Sequence, residues 1–122
     1  MKKEEKNLLL KDLCSRLPYG VKISVDDNVE ILQGINILDT VVEFGSFLSS
    51  DIEEVKPYLF PMSSMTEEQT EELIKLINTG QNDNNEFMRS RCRIEFYHIN
   101  HFDYNGLIQK GLALDATGLN IY

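Results

Sequence analysis

Two histidines and an aspartate near the end of the chain are the residues that could support metal chemistry. His98, His101 and Asp103 lie close together in the sequence, and imidazole and carboxylate groups are ligands for zinc, iron and manganese. At 100° per residue, a continuous helix places His98 and His101 on one face but turns Asp103 about 140° away from His98. The three side chains could therefore converge only if a helix ended near His101. Alternatively, His101 and Asp103 cap the end of a helix while His98 lies on its surface.

No other pattern in the sequence is typical of a catalytic site. The sequence contains no G-x-S-x-G nucleophile turn and no glycine-rich nucleotide- or phosphate-binding motif. Cys14 and Cys92 are far apart and match no metal-binding or redox motif. We therefore predict no cofactor and favour a non-enzymatic protein. A small metal-dependent hydrolase built on His98, His101 and Asp103 is the enzymatic alternative.

Four aromatic side chains are candidates for contact with a partner protein. They are Tyr58, Phe60, Tyr104 and Tyr122. The first two lie in residues 51–65, an apolar segment with two prolines four residues apart, which predicts a connector rather than a regular helix or a central strand. Large apolar side chains cost about 1.5–3 kcal/mol each when they are left in water. This segment and the glycine-rich tail that ends at Tyr122 should therefore pack on the core or on a partner.

The charge distribution argues against contact with nucleic acid. The net charge is −8, and residues 26–83 hold thirteen acidic residues against two lysines, a local charge of −11. Nucleic-acid binders usually carry a basic face, which an acidic segment of this kind lacks. The same acidity suggests an alternative function, in which the protein mimics a nucleic acid and inhibits a basic protein.

The chain has the proportions of one globular domain, residues 1–122. It has 122 residues, of which 42% are hydrophobic and 26% charged, a typical composition for a single folded unit. No stretch approaches the roughly 18 consecutive apolar residues that cross a membrane. Nor does the start of the chain resemble a secretory signal peptide. We therefore predict a cytoplasmic protein that does not contact membranes.

The first half of the chain predicts a helix followed by a small sheet. Residues 3–17 place leucines at helical spacing before Pro18. Alternating apolar residues at 21–25 and 29–31 flank an Asp-Asp-Asn turn, which indicates a β-hairpin. Gly34 interrupts the second strand, where it predicts a bulge or a bend. Residues 40–48 provide a third β-rich run, so we predict an antiparallel sheet of about three strands with one face covered by the helix.

The second half predicts one clear helix and one ambiguous segment. Thr66-Glu-Glu-Gln69 is a capping-box sequence, so a helix should begin there and end near Gly80. Residues 81–85 are polar and predict a surface loop. The apolar residues of 86–100 fit both a helical stripe and a strand. The fold class is therefore α+β, with an N-terminal helix, the small sheet, two further helices and an irregular C-terminal tail. An all-β barrel fragment with peripheral helices is the alternative.

Three segments of the chain resemble a family of short uncharacterised proteins from gut bacteria and their phages or mobile elements. These segments are 13–25 (LCSRLPYGVKISV), 55–69 (VKPYLFPMSSMTEEQ) and 101–122 (HFDYNGLIQKGLALDATGLNIY). In that family, an aromatic helix precedes an H-F-D-Y-R-G-L-I stretch, which implies that residues 86–100 are helical here. Asn105 departs from the arginine common at that position. The resemblance implies an origin but no activity.

We therefore expect a non-catalytic protein-binding or accessory protein of phage or mobile-element origin. Its expected partner is another protein, and a homo-oligomer is compatible with the same surfaces. The candidate metal ligands His98, His101 and Asp103 and the candidate contact residues Tyr58, Phe60, Tyr104 and Tyr122 are the positions that a structure must locate.

Overall fold

A computed structural model describes residues 1–45, 48–79 and 86–122. Within these residues the protein combines three α-helices with a seven-stranded mixed sheet. The helices are α1 (Lys3–Arg16), α2 (Glu67–Thr79) and α3 (Glu86–Ile99). The strands are β1 (Lys22–Val25), β2 (Asn28–Asn36), β3 (Val41–Phe44), β4 (Leu48–Asp51), β5 (Val55–Pro61), β6 (Phe102–Asp103) and β7 (Leu114–Asp115). The predicted α+β class is confirmed, but the sheet is larger than the three strands expected.

The sheet is built on an antiparallel meander. Its strand order is β4-β3-β2-β1-β5-β6, and β7 also pairs with β5. Strands β1 to β5 pair in antiparallel fashion, whereas β6 and β7 each lie parallel to β5. The register between β2 and β3 shifts between Leu32 and Gly34, which confirms the irregularity predicted at that glycine.

Strand β5 corrects the prediction of a connector over residues 51–65. It pairs with β1 on one edge and with β6 and β7 on the other, so it is an interior strand of the sheet. Pro57 is the last residue that pairs with β1, opposite Ile23, and Pro61 ends the strand. Both prolines therefore lie where a hydrogen-bond ladder stops, so the missing amide hydrogens break no interior pairing.

Helix α1 packs its leucines against one face of the sheet. Leu9 and Leu13 are completely buried together with Ile23, Val42 and Leu59 from three strands. This confirms the predicted role of the leucine stripe, because a short amphipathic helix gains most of its stability from such packing. Arg16 and Asp12 are buried on the same side of α1, an exception that matters for the site below.

Helices α2 and α3 form a second, smaller layer. The capping box at the start of α2 is present, because the Thr66 amide donates to Gln69 Oε1 at 2.9 Å and the Gln69 amide donates to the Thr66 hydroxyl at 3.1 Å. Leu73 of α2 packs with Phe96 of α3 and with Phe102. The segment whose periodicity fits both a helix and a strand is thus helical over Glu86–Ile99.

Some predictions fall on residues that the structure does not describe. The helix end near Gly80 and the loop at 81–85 lie outside the described residues, as do positions 46 and 47 of the third β-rich run. Among the helices that are described, none combines the length and the apolar character needed to cross a lipid bilayer.

Candidate functional site

The structure does not bring the three predicted metal ligands together. His98 Nε2 is hydrogen-bonded to the Tyr104 hydroxyl at 2.7 Å. The two oxygens of the Asp103 carboxylate accept the amides of Leu107 and Ile108 at 2.8 and 2.9 Å. No group of three or more His, Cys, Asp or Glu side chains in the described part of the chain is arranged to hold a metal ion. The structure therefore does not assemble a metal site from His98, His101 and Asp103, because His98 and Asp103 each have another hydrogen-bond partner.

His101 instead ends helix α3 with an unusual backbone conformation. Its φ of 60° lies in the left-handed region, which a residue with a Cβ atom adopts at a cost in conformational energy. Its amide donates to the His98 carbonyl at 3.2 Å, and its carbonyl accepts the Phe60 amide at 2.8 Å. His101 therefore turns the chain from α3 into β6. The alternative prediction is corrected in part, because Asp103 accepts amides of the turn that follows α3 and His98 is buried instead of lying on the helix surface.

His101 lies at the wall of a groove that several distant segments build together. The groove has a volume of about 530 Å³, and we refer to it as the His101 groove. Its lining residues are Phe60, Ser64, Thr66, Gln69, Ile99, Asn100, His101, Phe102, Thr117, Gly118 and Tyr122. Three of the residues singled out by sequence, namely Phe60, His101 and Tyr122, thus meet at one concave surface.

Tyr122 forms a fixed wall of this groove. Its ring stacks on that of His101 with the centroids 3.7 Å apart and the planes at 14°. Its hydroxyl donates to the Tyr58 carbonyl at 2.8 Å and accepts the Lys22 amide at 2.7 Å. Burial raises the pKa of the Tyr122 phenol to about 12, so the hydroxyl stays protonated and can donate this hydrogen bond at all physiological pH values.

The imidazole of His101 is neutral. Burial, followed by the positive charges of Arg16 and Lys22, lowers its pKa from 6.5 to about 4. Its Nδ1 is buried and has no hydrogen-bond partner within the described residues. A buried polar atom without a partner costs about 1–3 kcal/mol. His101 therefore combines backbone strain with an unsatisfied nitrogen, and such outliers cluster at functional sites.

The lining of the His101 groove is polar but, among the described residues, contains no Asp, Glu, Lys or Arg side chain. Hydroxyl and carboxamide groups come from Ser64, Thr66, Gln69, Asn100 and Thr117. Apolar surface comes from Phe60, Ile99 and Phe102. The groove can therefore offer a ligand apolar contacts and the donors and acceptors outside its internal bonds, such as Gln69 Nε2 and Asn100 Oδ1. A charged group placed in it would lose hydration without an ionic partner from the lining.

A buried ion pair near the groove holds this corner of the fold in place, and the sequence analysis missed it. Arg16 Nε donates to Asp12 Oδ2 at 2.7 Å, and Arg16 Nη2 donates to the Phe102 carbonyl at 2.7 Å. The Asn105 side-chain amide donates to Asp12 Oδ1 at 2.8 Å. Both charged residues are fully buried. The pair thus joins α1 to β6 and the turn that follows.

A signal for this pair was present in the sequence. Asp12 and Arg16 share the helical face of Leu9 and Leu13, at spacings of three and four residues. A charged pair placed on a leucine face must be buried together or disrupt the packing. The bond between Asn105 and Asp12 also gives position 105 a structural role.

The remaining aromatic candidates lie inside the fold. Tyr58 is buried. Tyr104 is half-buried, with its hydroxyl bonded to His98, its ring 5.8 Å from that of Tyr97 and the Arg16 guanidinium carbon 5.0 Å from its centroid. Neither of these two lines the His101 groove, so of the four aromatic candidates only Phe60 and Tyr122 remain available for contact there.

Comparison with known proteins finds no matching family model, curated protein or solved structure. The function must therefore be argued from the site itself.

Proposed function

We propose that this protein binds another polypeptide without catalysing a reaction, and that the His101 groove holds a neutral segment of that partner. The observation that carries the proposal is the absence of Asp, Glu, Lys and Arg from the groove lining, as far as the chain is described, although 26% of all residues are charged. Such a concentration of neutral polar and aromatic groups favours a ligand that is itself uncharged.

A polypeptide segment supplies the groups that this lining can satisfy. Backbone amides and the side chains of Ser, Thr, Asn and Gln both donate and accept hydrogen bonds, as the hydroxyls and carboxamides of the groove do. Aliphatic side chains of the partner would contact Ile99 and Phe60. Binding sites of about 300–1,000 Å³ hold drug-sized ligands, so the groove has room for about two to four residues of a partner.

An accessory role in a phage or mobile element fits this proposal. The three segments quoted above resemble proteins of such an origin, and many accessory proteins act by contact. Neither the neutral imidazole of His101 nor the protonated phenol of Tyr122 is poised for acid–base catalysis near neutral pH.

The test begins with capture of the partner from host cells, followed by affinity measurements with the purified pair. Ile99 is 56% exposed at the groove and Ile74 is 53% exposed on α2 outside it, so Ile99→Lys and Ile74→Lys are matched changes. We expect Ile99→Lys to weaken binding at least about tenfold, because it buries an unpaired charge, while Ile74→Lys leaves the affinity unchanged. Equal affinities for both variants and the unmodified protein, or no partner that binds the purified protein, would overturn the proposal.

A second candidate function is inhibition of a basic protein by mimicry of nucleic acid. It is favoured by four exposed glutamates on α2, which form no ion pair within the described residues. They are Glu67, Glu68, Glu71 and Glu72. Binding of this kind should weaken steeply with salt, by about tenfold or more between 50 and 500 mM NaCl, and the quadruple Glu→Gln variant should abolish it. Mimicry is excluded if the affinity changes neither with the salt concentration nor in the quadruple Glu→Gln variant.

A further inference from the structure

Helix α3 has a second groove on the face that points away from the Leu73, Phe96 and Phe102 cluster. It has a volume of about 390 Å³. Its lining consists of Tyr19, Phe87, Ser90, Arg91, Ile94, Glu95 and His98. At 100° per residue, positions 87, 91, 94 and 98 fall within about 60° of one another and form one stripe along the helix. We refer to this surface as the α3 stripe.

Two apolar side chains of the α3 stripe are exposed to solvent. Phe87 is 71% exposed and Ile94 is 37% exposed. They are seven residues apart, which is the spacing of the contact seam in paired helices. Tyr19 and the buried imidazole of His98 line the end of the groove at the last turns of α3.

The charges of the stripe are self-complementary. Arg91 and Glu95 are one turn apart, and they form no ion pair with each other. In an antiparallel pair of α3 helices related by a two-fold axis near position 93, Arg91 of each copy lies opposite Glu95 of the other. The same register places Phe87 of one copy opposite the last turn of α3 in the other, where Tyr19 and His98 line the groove.

We propose that the α3 stripe is a homodimer interface, in which two copies of this chain pair their α3 helices in antiparallel fashion. A second copy fits better than a nucleic acid, because the stripe carries one positive and one negative charge on a chain whose net charge is −8. A two-fold contact needs the same patch on both partners, and this patch offers both the exposed aromatic side chain and the recess that receives it. The interface lies apart from the His101 groove and does not depend on the function proposed for it.

The test is sedimentation equilibrium of the full chain at concentrations up to about 500 µM, well above the dissociation constant of a weak specific dimer. We expect a dimer that Arg91→Glu and Glu95→Arg each weaken at least about tenfold, since each variant places like charges opposite one another. The double variant Arg91→Glu/Glu95→Arg restores both reciprocal pairs, so it should return to within about threefold of the unmodified affinity.

Arg93→Glu is the matched control, because it makes the same charge change on α3 about 120° away from the centre of the stripe. It should leave the dissociation constant unchanged, and urea unfolding confirms that each variant is folded. A chain that remains monomeric at the highest concentration overturns the proposal. A double variant as weak as the single ones, or an Arg93→Glu variant as weak as Arg91→Glu, overturns it as well.

Discussion

Replacement of His101 by asparagine isolates the cost of burying a neutral imidazole beside the groove. Asparagine tolerates the left-handed backbone conformation of this position and keeps a polar side chain, but it has no group that titrates near neutral pH. The variant therefore removes the buried, unpartnered Nδ1 and the stacking on Tyr122, and it preserves the turn between α3 and β6.

The effect of this change should depend on pH in a defined direction. In the unfolded chain His101 gains a proton below pH 6.5, whereas in the folded protein burial and the nearby cations delay protonation to a pKa of about 4. The unfolded state therefore binds more protons between these values, and the stability of the unmodified protein falls as the pH decreases through this range.

The magnitude follows from the two pKa values. Each pH unit below 6.5 lowers the free energy of unfolding by at most about 1.4 kcal/mol, and partial exposure of the imidazole ring reduces this figure. We expect the unmodified protein to lose about 1 kcal/mol relative to His101→Asn between pH 8 and pH 5.5. At pH 8, the loss of stacking, about 0.5–1.5 kcal/mol, is offset by removal of the unsatisfied nitrogen and the backbone strain. The two proteins should then differ by less than about 1 kcal/mol.

Urea unfolding of both proteins at pH 8.0, 6.5 and 5.5 measures these differences. The two proteins have the same acidic residues, so the effect of carboxylate protonation on stability cancels when they are compared. His101→Gln is the control for the backbone. Glutamine also lacks a titrating group but is disfavoured at positive φ, so it should be less stable than asparagine by about 1 kcal/mol at every pH. A His101→Asn difference that is the same at pH 8.0 and pH 5.5 would refute the reasoning, because the imidazole would then not be desolvated in the folded state.

Three further changes test other parts of the structure by urea unfolding at pH 7. Asp12→Ala leaves the Arg16 guanidinium buried without its ion pair and should cost about 3–5 kcal/mol, whereas Asp12→Leu/Arg16→Met should cost much less; equal losses would argue against a desolvated pair. Tyr122→Phe removes a hydroxyl that makes two hydrogen bonds and should lower the free energy of unfolding by about 1–3 kcal/mol. An unchanged urea midpoint would contradict this expectation. Thr66→Ala removes the capping hydroxyl of α2 and should cost about 1 kcal/mol, while a loss below the error of the measurement would mean that the capping box contributes little.

Short-range sequence patterns predicted helices α1 and α2, because capping and leucine spacing depend only on residues close together in the chain. The capping box fixed the start of α2 at Thr66, and the leucine spacing identified α1 and its buried face. Strand β5 could not be predicted in this way, because whether Pro57 breaks a strand depends on where the ladder of the neighbouring strand ends. That information lies in β1, more than thirty residues earlier in the chain.

The site was predicted in part for the same reason. His101, Phe60 and Tyr122 were chosen from their chemistry, and the fold brings them together from three separate segments. His98, His101 and Asp103 do not converge, because Asp103 accepts the amides of its own turn, a local preference of aspartate that competes with any distant ligand. The pairing of Arg16 with the Phe102 carbonyl spans 86 residues, and no sequence period reports a contact at that separation.

The same long-range bonds bear on how the protein comes to be folded during its synthesis. Arg16 can bond Phe102, Asp12 can bond Asn105, and the Lys22 amide can bond Tyr122, 100 residues further along, only after these later residues have been synthesised. Contacts at such separations form late, because the intervening chain must first be ordered. While the chain is still being translated, the guanidinium and carboxylate of α1 can stay hydrated, and the leucine face of that helix is available to chaperones until the closing segment emerges.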